Sequence, residues 1–145
     1  MIHSRTAPYA ALLLRVSLGV MLLAHGLYLK VFTFTVAGTV SFFESIGYPG
    51  FFAYLVILGE VGGGIALLLG VWTRSIALLL LPILIGAAVQ HLNNGWLFSA
   101  PKGGWEFPAF WTAMLLVQAL LGDGAFAWRP SFRLTQATSP ARDIP

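Results

Sequence analysis

The sequence predicts an all-α fold: an integral membrane four-helix bundle with a short interfacial helix between its first and second spans. Of 145 residues, 58% are hydrophobic and only 9% are charged, against about 25% charged in ordinary soluble domains. A chain this small with so little polar surface cannot cover its exterior in water. Four apolar runs also approach the roughly 20 residues that a helix needs to cross a hydrocarbon core about 30 Å thick. Each must be helical, because the bilayer interior offers backbone groups no water to bond.

The runs cover residues 10–29, 51–72, 75–92 and 105–121. The last is the shortest, and Phe126 and Trp128 beyond it are placed to anchor its end at the headgroup level. The link Trp72-Thr73-Arg74-Ser75 is so short that the second and third spans must be antiparallel neighbours. In 31–50, Thr39, Phe42, Phe43 and Ile46 recur at helical spacing until Gly47-Tyr48-Pro49-Gly50 stops the pattern, which predicts the interfacial helix. Residues 93–104 carry Asn94-Gly95, Pro101 and Gly103-Gly104, the chemistry of turns. Pro82 inside the third span frees a carbonyl and is expected to kink the helix near Gly86.

The organisation expected is a cytoplasmic segment 1–9, a four-span membrane domain 10–122 and a cytoplasmic tail 123–145, solvated and disordered beyond Thr135. Arg5, Arg74, Arg129, Arg133 and Arg142 fall on one side of this topology, Lys30 and Lys102 on the other. Both termini are therefore expected in the cytoplasm. Arg15, just inside the first span, is expected to snorkel to the interface or to pair with Asp123. The first run reads as an uncleaved anchor, because no small-x-small site follows it before His25. Cysteine is absent, which excludes disulfides, thiolate metal sites and a dithiol relay within the chain. A net charge of +3 spread thinly along the chain gives no nucleic-acid footprint.

Ionisable residues inside a membrane are costly and are functional candidates by default. His25, Glu60, His91 and Glu106 place one such group in the outer half of each span. By helix rise, His25 lies about 7 Å and Glu60 about 13 Å below the outer helix ends. The four read as a polar funnel ending at Glu60. Gly59-x-x-x-Gly63, with Glu60 and Gly64 on an adjacent stripe, permits close helix approach, as do Gly19 and Gly26 on the first span. A His25–Glu60 hydrogen bond is therefore expected. Such a pair is often a structural clasp fixing helix register, and the other reading is a proton or quinone site. A metal centre is not assigned, since no His-x-x-x-His or Glu-x-x-His spacing is present. Water near the surface can satisfy His91 and Glu106, and Gln90 and Gln118 suit interhelical hydrogen bonds. Trp72, Trp96, Trp105 and Trp128 suit an interfacial belt. Phe42, Phe43, Phe51 and Phe52 suit either lipid contact or the approach of a lipid-soluble ring compound.

Several segments in order also resemble a family. Leu14-Arg15, Ala24-His25-Gly26, Phe42-Phe43-Glu44-Ser45-Ile46-Gly47-Tyr48-Pro49, Gly59-Glu60-Val61-Gly62-Gly63, Thr73-Arg74, His91-Leu92-Asn93-Asn94-Gly95 and Gly103-Gly104-Trp105-Glu106 are together similar to the DoxX family of small bacterial membrane proteins. The resemblance implies a four-helix, multi-pass protein of the bacterial cytoplasmic membrane. It also implies a link to redox systems, since the family takes its name from a subunit of an archaeal thiosulfate:quinone oxidoreductase. Its recurrent polar positions fall on His25, Glu60, His91, Asn94 and Glu106.

The leading expectation is an accessory or quinone-interacting subunit of a membrane redox system. His25 and Glu60 would exchange protons with a non-covalently bound quinone, contacted also by His91, Asn94 and Glu106. Electrons would come from a redox partner protein. A scaffold or assembly factor without chemistry is the alternative, and a small-solute or proton carrier built as a homo-oligomer is a third.

Overall fold

Five α-helices and no strand make up residues 5–129, the part of the chain that the computed structural model describes. They are α1 (Ala7–Leu23), α2 (Val36–Ser45), α3 (Phe51–Leu69), α4 (Thr73–His91) and α5 (Glu106–Leu121). A ten-residue π-helix, Ala24–Thr33, continues α1 without a break, and a 3-10 turn, Leu92–Asn94, ends α4. Three continuous helices, Ala7–Thr33, Phe51–Leu69 and Thr73–Asn94, are long and apolar enough to cross a membrane, and α5 is a shorter apolar helix of 16 residues. The expected disorder beyond Thr135, and Arg133 and Arg142, lie outside the described residues.

Local chemistry sets the boundaries. Pro8 stands in the first turn of α1, where its missing N–H would have had no partner. Gly70 ends α3 in the left-handed conformation at φ 69°, which carries no penalty without a Cβ. The backbone then turns through Val71 into α4, giving the tight α3–α4 hairpin that the sequence predicts. Thr35 caps α2 by accepting the Gly38 N–H at 3.1 Å. Pro82 is accommodated inside a continuous α4.

The four longer helices pack in a circuit: α1 on α3, α3 on α4, α4 on α5 and α5 on α1. Leu18, Leu22, Leu67, Leu80, Leu84 and Leu115 fill the centre with Trp111. The outer faces are equally apolar, with Leu13, Leu58, Leu79 and Leu120 exposed, as lipid and not water requires. Glycines set the approach of the helices. A Cβ at Gly19 would come within 2.9 Å of the Gly64 carbonyl, and one at Gly64 within 3.0 Å of the Gly19 carbonyl. Gly59 and Gly63 instead face Ile83 and Leu80 of α4. The two stripes on α3 therefore serve two different neighbours.

Above and below this dry core lie polar groups. At the end nearer the termini, Arg15 is 1% exposed. It does not snorkel, because the segment after Asp123 folds over it instead of leaving as a solvated extension. Arg15 donates to the Ala125 carbonyl at 3.1 Å and interacts electrostatically with Asp123. The backbone of 125–129 bonds to Pro8, Leu69, Gly70 and Trp72, and Arg74 donates to the Ala119 carbonyl at 2.9 Å. Gln118 does not bond across helices: it is buried and donates to the carbonyl of Gly122, one turn on. Gln90 is exposed on α4.

The Gly19–Gly64 contact makes a direct prediction. Gly64→Leu should lower stability by about 2 kcal/mol through overpacking, whereas Gly62→Ala, which meets nothing within 4 Å, should leave it unchanged or slightly raised. Unfolding in mixed detergent micelles followed by circular dichroism reads both.

Candidate functional site

Glu60 lies on the α3 face turned to the first helix and is 5% exposed. A carboxylate so placed in an apolar surrounding needs a partner. The structure supplies Lys30, whose Nζ donates to both carboxylate oxygens, at 2.9 and 2.7 Å. The pair is partly closed from solvent, with side-chain exposures of 22% for Lys30 and 6% for Glu60. The expected His25–Glu60 hydrogen bond is therefore replaced by a Lys30–Glu60 ion pair, and Lys30 belongs to the helix, not to the loop.

The sequence reading missed Lys30 because the first apolar run ends at Leu29 and leaves the lysine in the loop after it, although in a helix that continues it stands only about 40° round from Gly26, four residues earlier. The helix does continue, its Ala24–Thr33 stretch closing i→i+5 bonds as a π-helix. Lys30 thereby stays on the helix and reaches Glu60 beside Gly26. The signal available was that a lysine one residue beyond an apolar run is within reach of any buried carboxylate in the same bilayer half.

Three further features hold the pair. Gly26 has no Cβ; one there would come within 2.7 Å of Glu60 Cβ and 3.2 Å of its Oε2. The Lys30 carbonyl accepts from the buried Thr39 hydroxyl at 2.9 Å, and Thr35 in turn offers that hydroxyl its own carbonyl at 3.0 Å. Thr39 thus fastens α2 to the π-helix, a role its place in the sequence did not reveal. Thr35 adopts φ 64°, a conformation costly for a β-branched residue and common where function fixes the backbone.

His25 stands beside this pair, within electrostatic reach of Glu60. Its Nδ1 lies 2.9 Å from the Met21 carbonyl. A carbonyl can only accept, so Nδ1 carries the proton and Nε2 of the neutral ring keeps a lone pair. The ring is stacked on Phe107 at 5.8 Å and tilted against Trp111 at 4.9 Å between centroids. An imidazole fixed on one nitrogen and walled by rings can exchange a proton through the other.

His91, Asn94 and Glu106 are held elsewhere. Asn94 donates to the Lys102 and Gly103 carbonyls at 3.2 and 2.9 Å, and His91 Nδ1 lies 3.0 Å from the Gly103 carbonyl. Glu106 accepts the Phe98 N–H at 3.0 Å. These residues fasten the 95–104 loop to the ends of α4 and α5, so the expected single funnel divides into an inner cluster of His25, Lys30 and Glu60 and an outer loop clasp. Among the described residues no three His, Cys, Asp or Glu converge as metal ligands.

The DoxX family model matches residues 10–92, and the chain belongs to the DoxX family. It is 41% identical over 78 residues to "Putative oxidoreductase CatD" of Bacillus subtilis (strain 168), covering 54% of this chain and 56% of that protein. It is 55% identical over 42 residues to inner membrane protein YqjF of Escherichia coli (strain K12), covering 29% of this chain and 32% of that one. The chain thus spans about half the length of the first relative and a third of the second. No solved structure matches it.

The ion pair can be tested by a double-mutant cycle. Lys30→Met alone leaves a buried carboxylate unpaired and should cost about 3 kcal/mol. Adding Glu60→Gln should restore most of that loss, whereas additive effects would show that the two side chains do not interact.

Proposed function

We propose that this DoxX-family membrane protein is an accessory, quinone-interacting subunit of a redox system in the bacterial inner membrane. In this reading α5 is the fourth span and α2 lies in the interface. Both termini are cytoplasmic, in keeping with Arg5, Arg15, Arg74 and Arg129 at the end of the fold that bears them. The names of the two relatives, one an oxidoreductase by designation and the other an inner membrane protein, agree with it.

The observation that carries the reading is the His25–Lys30–Glu60 cluster at one end of a dry core. A quinone, when bound, takes up two electrons and two protons. Its ring oxygens are acceptors, and the cluster offers donors of matching kind: the Lys30 ammonium and, when protonated, His25 Nε2. In the neutral ring the same Nε2 accepts from a ring hydroxyl. Glu60 pairs with Lys30 and can take a proton as the pair opens. His91, Asn94 and Glu106 act in this proposal by shaping the loop above the cluster. Electrons come from a partner protein, since the chain has no thiol of its own. The Phe42, Phe43, Tyr48 and Phe52 rings form a continuous edge-to-face run along α2 and the start of α3, suited to the approach of a lipid-soluble ring.

A scaffold reading is favoured by a different fact: Lys30 and Glu60 already satisfy one another, as a clasp fixing helix register would. The carrier reading is opposed by Leu18, Leu22, Leu67, Leu80 and Leu115, which separate the cluster from the Arg15 end. Measurement of quinone-linked turnover in membranes, normalised to the amount of assembled complex, separates the first two. The redox reading expects His25→Leu and Glu60→Gln to lower turnover per complex about a hundredfold or more, the scale of lost general acid–base catalysis. The scaffold reading expects fewer complexes with unchanged turnover in each, and that result would overturn the proposal.

A further inference from the structure

A second concave site adjoins the His25–Lys30–Glu60 cluster through Phe107, on which His25 stacks, and does not depend on the function proposed for that cluster. A groove of about 440 Å³ opens between the 95–104 loop and the start of α5, lined by Trp96, Phe98, Glu106, Phe107 and Phe110. Four aromatic side chains and one acidic side chain line it. The loop is fixed against the helix by Trp105 N–H to the Gly95 carbonyl at 3.2 Å, Glu106 N–H to the Trp96 carbonyl at 3.1 Å, and Phe98 N–H to Glu106 Oε1 at 3.0 Å. Trp105 packs edge-on against Trp96 at 4.4 Å and holds that ring in place. The groove is therefore preformed.

The lining selects a ligand class. Aromatic faces carry negative quadrupole potential and attract cations whose hydration is weak. The Glu106 carboxylate adds a full negative charge, and no Lys or Arg pairs with it among the described residues. The positive end of α5 opposes this with only about half a charge. A hard metal ion would need several oxygen ligands, and the groove offers one carboxylate. A neutral ring would leave that carboxylate unused. We propose that this groove binds an alkylammonium group, supplied either by a zwitterionic lipid headgroup or by a soluble amine.

The test uses the full chain in lipid nanodiscs, titrated with choline and, separately, with 3,3-dimethyl-1-butanol, its uncharged isostere. Binding is followed by tryptophan fluorescence and by equilibrium dialysis of labelled ligand. In discs of phosphatidylglycerol, choline should bind at least about tenfold more tightly than the isostere, and Glu106→Gln should remove that preference. The glutamine still offers an oxygen to the Phe98 N–H, so the variant removes charge without releasing the loop. Phe110→Leu, at an exposed ring, should weaken choline by about threefold or more. In phosphatidylcholine discs, a weaker apparent affinity assigns the site to lipid headgroups and an unchanged one to soluble amines; either upholds it. Equal titration by choline and isostere, unchanged affinity in Glu106→Gln, or no choline binding would overturn it.

Discussion

A carboxylate buried among apolar helices must be paired, and the Lys30–Glu60 ion pair is the constraint on which the rest of the structure depends. In a low-dielectric setting an ion pair gains from its mutual attraction only when geometry is good and the remaining donors and acceptors are satisfied. The two-pronged contact meets that requirement. It demands that α1 and α3 nearly touch, which glycine permits at Gly19, Gly26 and Gly64. It also demands that the first helix run on past its apolar residues to Thr33, so that Lys30 stays on the helix beside Glu60. Thr39, from α2, then fixes the carbonyl of that same lysine. Close packing, helix register and the placement of a short connecting helix are in this sense one solution to one electrostatic problem.

The molecule is layered along its length. Arg15 and the 122–129 segment close one end, leucines fill the middle, and His25, Lys30 and Glu60 occupy the other half. Arg15 is also buried: its Nη2 donates to the Ala125 carbonyl, and Asp123 lies within electrostatic reach. Its Nε and Nη1, with Thr73 Oγ1 and Gln118 Oε1, are buried without a hydrogen bond. Groups of this kind are commonly met by ordered water. The leucine layer keeps this polar end apart from the His25 cluster.

Much of this was legible in the sequence because hydropathy and glycine spacing are local signals. The long apolar helices, the tight α3–α4 hairpin, the short helix within 31–50 and the two glycine stripes on α3 all follow from residue types at fixed intervals. Glu60 was identifiable as buried because it stands between Gly59 and Gly63. Three features were not legible. The partner of Glu60 was misassigned because Lys30 sits just past the end of its apolar run and reads as loop, whereas the helix continues to Thr33. The fold-back of 125–129 depends on backbone pairing with Leu69, Gly70 and Trp72, some sixty residues earlier in the chain, and no periodic pattern encodes it. His91, Asn94 and Glu106 carry the residue types of a ligand set, yet their partners are loop carbonyls and an amide, a distinction that only coordinates provide.

The central claim is that Glu60 is neutralised by Lys30 across the α1–α3 contact. Solid-state nuclear magnetic resonance of the full chain in lipid bilayers, with ¹⁵N at lysine Nζ and ¹³C at glutamate carboxyl carbons, measures it directly. The Lys30–Glu60 pair should give strong dipolar dephasing of the Glu60 carboxyl by Lys30 Nζ, as a 2.7 Å contact implies. An undephased Glu60 carboxyl, or one coupled instead to an imidazole nitrogen of His25, would contradict it.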